Sequence, residues 1–423
     1  MVRHAWFVIQ NLPFHHLTVV NDLRSRPLLP LAAGLTYLCP MEKLMRQHWW
    51  KALSVIILVY ALVAGLLVPL KPNLLDVSPN AAQAGATQSF QLLGYNTQFT
   101  DDRDGLMAWL NYGEGYALRA VEVTVLDDRR ATVTFNFPDG LPTDRPENKR
   151  LSLIVSGSES GAFVAPDVVV MRQESAPADL AAVEADWRQG VMQPGELTAH
   201  PGMTFPYRSL LGETIRNTYF HVSLWFAMMF LFIAAVVYAV KYLRRKSKLE
   251  AGGVSNHADL NNVNSLERAD HWSVVFTGVG MLFGILGLLT GAVWAKYTWG
   301  SFWNWDIKQF TTLIALLIYA GYFVLRAAFP DPERRARLGA VYNIFAFACL
   351  IPLIYILPRM SATSLHPGAE GNPAMGGEDL DNTMRMIFYP TIIGWTLFGG
   401  WMAGVAYRAR LLGERLLRSQ EVH

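Results

Sequence analysis

Hydrophobic positions along this chain follow two distinct patterns. Six stretches are continuously apolar, at 51–70, 218–240, 272–295, 309–329, 338–358 and 386–407. Each is close to the roughly 20 helical residues needed to cross a hydrocarbon layer about 30 Å thick. Between the first and second run the period changes to two. Val121, Val123 and Val125 alternate with polar residues, as do Val133, Phe135 and Phe137 beyond Asp127-Asp128-Arg129. Alternation on both sides of a turn signal predicts a β-hairpin. Further strands are expected at 89–99, 149–157 and 163–171, with a short helix at 178–189. The pattern predicts an all-α polytopic membrane protein of six transmembrane helices, with an inserted extracytoplasmic β-sandwich domain.

Charge sets the expected orientation. Hydrophobic residues make up 52% of the 423 and charged residues 17%, with a formal net charge of +2. No basic field points to nucleic acid. The basic residues cluster instead beside the apolar runs: Lys43, Arg46 and Lys51; Lys241, Arg244, Arg245, Lys246 and Lys248; Arg326, Arg334, Arg335 and Arg337; Arg408, Arg410, Arg415 and Arg418. With six spans, all four clusters share one side if the N-terminus is cytoplasmic, as the positive-inside rule requires. The expected divisions are a cytoplasmic segment at 1–50, a first span at 51–70, an extracytoplasmic β-rich domain at 71–213, a five-helix region at 214–410 and a cytoplasmic tail at 411–423. Within 1–50, the mildly apolar 28–39 is too short to span and lacks the regions of a signal peptide, and Met41 stands as an alternative start. The 71–213 segment holds 19 acidic and 11 basic residues, which suits a solvated surface or a basic partner.

The two cysteines, Cys39 and Cys349, form no CxxC pair, and the chain has no CxxCH. This supports neither a thiol oxidoreductase nor a disulfide framework, and it excludes a c-type cytochrome with covalently attached haem. Of ten histidines, topology places His221 and His366 together near the outer face. Between them in sequence runs Trp299-Gly300-Ser301-Phe302-Trp303-Asn304-Trp305-Asp306. Interfacial tryptophan is ordinary. Four aromatics in seven positions, with a glycine and a terminal carboxylate, offer what a large, flat, apolar ligand with a polar edge needs. Two imidazoles beside such a platform can supply axial bonds to haem iron. Arg216, Arg359 and Arg385 are candidate partners for the propionates, although an arginine at a span end also snorkels to the surface. A lone histidine at a helix start can be merely structural, and Asp306 also suits a helix N-cap.

These elements resemble a known family. Trp299-Gly300-x-Phe302-Trp303-x-Trp305-Asp306 is similar to the tryptophan-rich WWD signature of haem-handling proteins of cytochrome c biogenesis. Arg216-Asn217-Thr218-Tyr219-Phe220-His221-Val222 resembles the first histidine region of the haem exporter protein C (CcmC) family, and His366 falls where that family has its second. The likeness covers about 215–410, with the WWD loop at 299–306. It implies haem b held non-covalently by His221 and His366 in a bacterial inner membrane, with both termini cytoplasmic and the haem site periplasmic. It also implies delivery to a periplasmic haem chaperone of the CcmE type, with CcmA/CcmB ABC subunits and a small CcmD-like subunit taking part. Two features depart from the family: the 71–213 domain replaces a short loop, and Trp305-Asp306-Ile307-Lys308 is similar to the Trp-Asp-Pro-Lys of CcsA synthetases. Val77-Ser78-Pro79 with Gly85 and Gly94 resembles the opening of an IPT/TIG immunoglobulin-like module.

Within the haem reading, a CcsA-type synthetase component is the alternative. Its expected mid-membrane histidines are missing here, His271 lying at a cytoplasmic end. A transporter or scaffold is the alternative from another class, but it leaves the tryptophan loop unexplained. Mid-membrane acidic pairs and broken helices are not predicted. No nucleophile-base pair, phosphate loop or zinc spacing predicts an enzyme.

Overall fold

Alternation and continuity in the sequence separate cleanly into sheets and helices. The computed structural model describes residues 38–113, 115–209, 211–251, 258–361, 364–366 and 380–421. The expectations for 28–37, the far N-terminus, His257 and His423 lie outside the described residues. The chain divides between Trp49 and Trp50, and the account below concerns the unit that begins at Trp50.

Among the described residues, a helix, α1 (Leu38–Leu67), is followed by nine strands: β1 (Asn73–Ser78), β2 (Ala81–Ala82), β3 (Thr87–Tyr95), β4 (Met107–Gly113), β5 (Tyr116–Arg119), β6 (Glu122–Asp127), β7 (Arg130–Asn136), β8 (Glu147–Gly157) and β9 (Gly161–Gln173). They form a four-stranded sheet in the order β1-β3-β7-β6 and a five-stranded sheet in the order β2-β9-β8-β4-β5. The hairpin read from the valine alternation is β6–β7, with Val123 opposite Val133. Because side chains alternate faces along a strand, Phe90, Val133 and Phe135 from one sheet and Leu110, Leu153 and Val155 from the other meet in a single core. Helix α2 (Leu180–Gln189), N-capped by Asp179, contributes Val183 and Trp187 to that core.

Asp102 is buried in a loop of this region, and its carboxylate accepts from Ser158 Oγ (3.0 Å) and from the backbone N–H groups of Glu159 (2.7 Å) and Ser160 (3.0 Å). Burial alone would raise its pKa, but the hydrogen bonds from Ser160, Glu159 and Ser158 outweigh it and hold the carboxyl below its ordinary value.

Further helices among the described residues are α3 (Ser223–Ala251), α4 (Ala258–Trp299), α5 (Ile307–Ala328), α6 (Pro332–Ile351) and α7 (Asn382–Glu421). Among the described residues, five segments are long and apolar enough to cross a membrane: Gln47–Leu67, Gly212–Ala251, Asn264–Trp299, Ile307–Ala328 and Pro332–Met360. The sixth expected span, 386–407, lies within α7 but is not among them. Tyr389, Pro390, Gly394, Trp395, Gly399, Gly400 and Trp401 dilute its aliphatic run. Helix irregularities lie near the ends of the apolar runs. Thr218–Val222 and Pro352–Ile356 are π-helical, and Pro390 stands inside α7.

The α3–α4 contact is built on a glycine stripe. A Cβ placed on Gly280 would lie 2.6 Å from Phe232 Cε1, on Gly284 3.0 Å from Met228 Sδ, on Gly287 2.8 Å from Trp225 Cε2, and on Gly291 2.6 Å from His221 Cε1. Glycines at these intervals share one helix face, and their partners recur at the same intervals in reverse order, so the two helices interlock antiparallel. Small residues permit such close approach between membrane helices.

Other polar groups tie the bundle together. Arg326, one of the basic residues used to predict orientation, is buried and bidentate to Asp270 at 2.6 and 2.7 Å. It therefore serves as an internal clamp between α5 and α4. The β-rich region is braced to the bundle in turn. Tyr95 donates its hydroxyl to Glu213, which pairs with Arg216 at 2.5 Å, and Arg216 Nη1 donates to the carbonyls of Gly65 (3.0 Å) and Val68 (2.6 Å) at the end of α1.

The depressed Asp102 pKa carries a sign. The stabilisation is fully present above the ordinary carboxyl value of 3.8 and is lost as pH falls through the lower folded value. Hydrogen exchange across β8 and β9, corrected for its intrinsic pH dependence, is expected to stay flat from neutrality down to about 3.8 and to accelerate as pH falls from there towards the folded value. Asp102→Asn should cost about 1–3 kcal/mol at neutral pH and abolish the acid-dependent acceleration. An unchanged acid profile in the variant would count against this role.

Candidate functional site

His221 occupies the π-helical turn Thr218–Val222 leading into α3. π-helical turns recur at functional sites because the extra residue re-aims side chains that a regular helix would direct elsewhere. The glycine stripe then sets the ring. Gly291 leaves room for the imidazole, Trp294 meets its edge at 5.7 Å between centroids, and Thr290 Oγ1 lies 3.1 Å from Nδ1. Thr290 donates its own proton to the carbonyls of Leu286 (2.9 Å) and Gly287 (3.0 Å). It must therefore accept from His221 Nδ1–H, so Nε2 carries the lone pair. Trp225 Nε1, one helical turn on, donates to that Nε2 at 3.3 Å.

His366 is positioned by Asp306. The Asp306 side chain is fully buried and N-caps α5, accepting from Lys308 N at 2.8 Å. The same carboxylate accepts from Ser364 Oγ (3.0 Å), Leu365 N (2.7 Å) and His366 Nδ1 (2.7 Å). One acidic group thus starts a helix and pins the segment 364–366 to it. Burial would raise the Asp306 pKa, but the hydrogen bonds from His366, Leu365 and Lys308 hold it well below the ordinary value. Burial pushes the His366 imidazole down, more than the hydrogen bond to Asp306 lifts it. The pair is an ionised carboxylate and a neutral imidazole donating Nδ1–H, which leaves the Nε2 lone pair available. Such a carboxylate behind the far ring nitrogen is what fixes tautomer and orientation in metal-binding histidines.

Both histidines line one open cavity of about 1580 Å³, the solvent at its mouth included. Trp225, Trp294, Trp303 and Tyr355 supply aromatic walls, and Arg208, Lys308 and Arg359 supply positive charge. The π-helical segment Pro352–Ile356 brings Ile354 and Tyr355 to the lining. Broad apolar walls with a few polar groups are what a large flat ligand requires.

The eight-residue tryptophan loop splits by role. Trp303 lines the cavity, and Trp299 packs edge-on against His366 at 5.0 Å between centroids. Phe302 and Trp305 instead lie on the surface, 57% and 75% exposed, with Trp305 held at φ +54° and Gly300 at +84°. A positive φ at tryptophan is strained, and such strain clusters at functional sites. Asp306 and Arg216 do not line the cavity. Arg216 is engaged by Glu213 and the end of α1, and Arg385 Nη1 reaches Asn382 at 3.3 Å, so of the three arginines expected at the ligand edge only Arg359 lines it. Arg208, Trp225, Thr290 and Trp294 were missed by the sequence reading. The i, i+4 spacing of His221 and Trp225 is the signal that could have found one of them.

These features define a multi-pass membrane protein whose paired histidines share one aromatic-walled cavity. Residues 207–366 match the family described as cytochrome c assembly protein, a match that closes on His366. Among similar proteins are heme exporter protein C from Bradyrhizobium diazoefficiens, 32% identical over 33% of this chain and 51% of that protein, and the cytochrome c biogenesis protein CcsA of Spinacia oleracea, 34% identical over 30% of this chain and 38% of that protein. CcsA of Prochlorococcus marinus is 34% identical over 29% of this chain and 38% of that protein. The chain spans about half or less of the length of these relatives.

Asp306→Ala should release the 364–366 segment. Hydrogen bonds to a charged group each contribute roughly 1.5–3 kcal/mol, so exchange at the Leu365 amide is expected to rise at least about tenfold. Unaltered exchange there would refute the tether.

Proposed function

We propose that this protein binds haem b non-covalently at the outer face of a bacterial inner membrane, through axial bonds from His221 and His366, and passes it on for cytochrome c assembly. Haem is here the cargo. The observation that carries the reading is that the two histidines line one cavity, each with Nδ1 engaged as a donor and Nε2 left as the lone-pair nitrogen. Trp303, Trp225, Trp294 and Tyr355 would flank the macrocycle, and Arg208 and Arg359, with Lys308, would meet the propionates, in place of Arg216.

In this reading α7 is the sixth span, both termini are cytoplasmic, and the β-rich region with the tryptophan loop is periplasmic. The exposed Phe302 and Trp305, beside Gly300, form a docking surface for a periplasmic haem chaperone of the CcmE type. CcmA/CcmB ABC subunits and a small CcmD-like subunit would act in releasing the loaded chaperone. No group-transfer chemistry by side chains is required of the chain, whose work is to bind, orient and release.

A CcsA-type role within a cytochrome c synthetase is the second reading. It is favoured by the CcsA relatives, such as that of Populus trichocarpa, 44% identical over 14% of this chain and 19% of that protein. Haem transfer separates the two: a chaperone-loading protein gives its haem to a CcmE-type apo-chaperone, whereas a synthetase component serves an apocytochrome CxxCH segment.

Purified His221→Ala and His366→Ala are each expected to lose most of their haem and to shift the Soret band, while Trp305→Ala keeps haem and slows its transfer. Unchanged haem content and spectra in both histidine variants would defeat the ligand assignment.

A further inference from the structure

The two ligand histidines differ in one respect. Among the described residues, nothing donates to His366 Nε2, whereas Trp225 Nε1 donates to His221 Nε2 at 3.3 Å. An sp² imidazole nitrogen has one in-plane lone pair. It cannot accept the indole proton and bind iron at the same time.

The indole is built into this position. A Cβ on Gly287 would lie 2.8 Å from Trp225 Cε2 and 3.1 Å from its Nε1, so only glycine leaves the ring room against α4. The two rings cross at 81° with centroids 6.1 Å apart, which aims the indole edge at the imidazole. Thr290 meanwhile fixes the tautomer that presents Nε2 as acceptor. Gly287, Thr290 and Gly291 of one helix thus seat Trp225 and His221 as a unit.

We propose that Trp225 is an internal competitor for the axial position at His221, so that iron binds His366 first and His221 second, and the indole re-engages Nε2 as haem leaves. This rests on the haem-binding reading above. In the exchange the iron–Nε2 bond forms as the N–H···Nε2 hydrogen bond breaks. The proton stays on the indole nitrogen, and no electron is transferred. The arrangement lowers haem affinity at one end of the site only and lowers the cost of release at that same end, which is what a protein that gives up its cargo requires.

The test uses the full chain in detergent, loaded with ferric haem, and follows haem loss to an excess of apomyoglobin. A typical hydrogen bond contributes about 0.5–1.5 kcal/mol, which at 1.4 kcal/mol per tenfold corresponds to roughly two- to tenfold. Trp225→Phe keeps an aromatic ring without the donor, so it is expected to slow haem loss by that factor. In a His221→Ala background reconstituted with haem, the same substitution should no longer slow haem loss, because the competed nitrogen is gone. Haem loss that is unchanged or faster in Trp225→Phe, or an equal effect in both backgrounds, would overturn the proposal while leaving the site assignment intact. Wild-type protein that takes up no haem would overturn both.

Discussion

The close approach of α3 to α4 is the constraint on which the site depends. Lipid offers no hydrophobic drive for two apolar helices to associate, so packing must supply it. Here Gly280, Gly284, Gly287 and Gly291 open a channel along α4 that Phe232, Met228, Trp225 and His221 fill in reverse order. The last tooth of this zipper is His221, the proposed ligand, and the one before it is its hydrogen-bond partner Trp225. The same contact that holds the bundle together therefore sets the position, ring plane and tautomer of His221.

A single carboxylate does the corresponding work on the other side. Asp306 ends the tryptophan loop, starts α5 and holds His366, three tasks met by one buried group with four donors around it. This explains why aromatic loop and acidic residue travel together in the sequence: the loop's final residue is the anchor of the second histidine, and Trp299 packs on that same ring. One histidine is thus held by helix packing and the other by a charged hydrogen-bond hub.

Much of this was legible in the chain. Period-two valines located the β6–β7 hairpin, and continuous apolarity located five spans. The pairing of His221 with His366 followed from topology and family likeness. What escaped was long-range or compensatory. Arg216 lies near the right face but is drawn away by Glu213 and the carbonyls that end α1, a partnership set by the β-rich region folding back through Tyr95. Arg326 was read as an orientation signal because its partner, Asp270, lies 56 residues away in sequence. The glycine spacing of α4 was present in the sequence, but its meaning required the matching series on α3. The π-helical turn at Thr218–Val222 has no comparable marker, whereas Pro352 opens the second π-helical segment.

The account stands on two imidazole nitrogens converging on one cavity. Electron paramagnetic resonance of the purified protein loaded with ferric haem measures this most directly. A six-coordinate, low-spin signal of the bis-imidazole type is predicted. A high-spin, five-coordinate signal, or a low-spin signal that persists when His221 and His366 are both replaced by alanine, would contradict it.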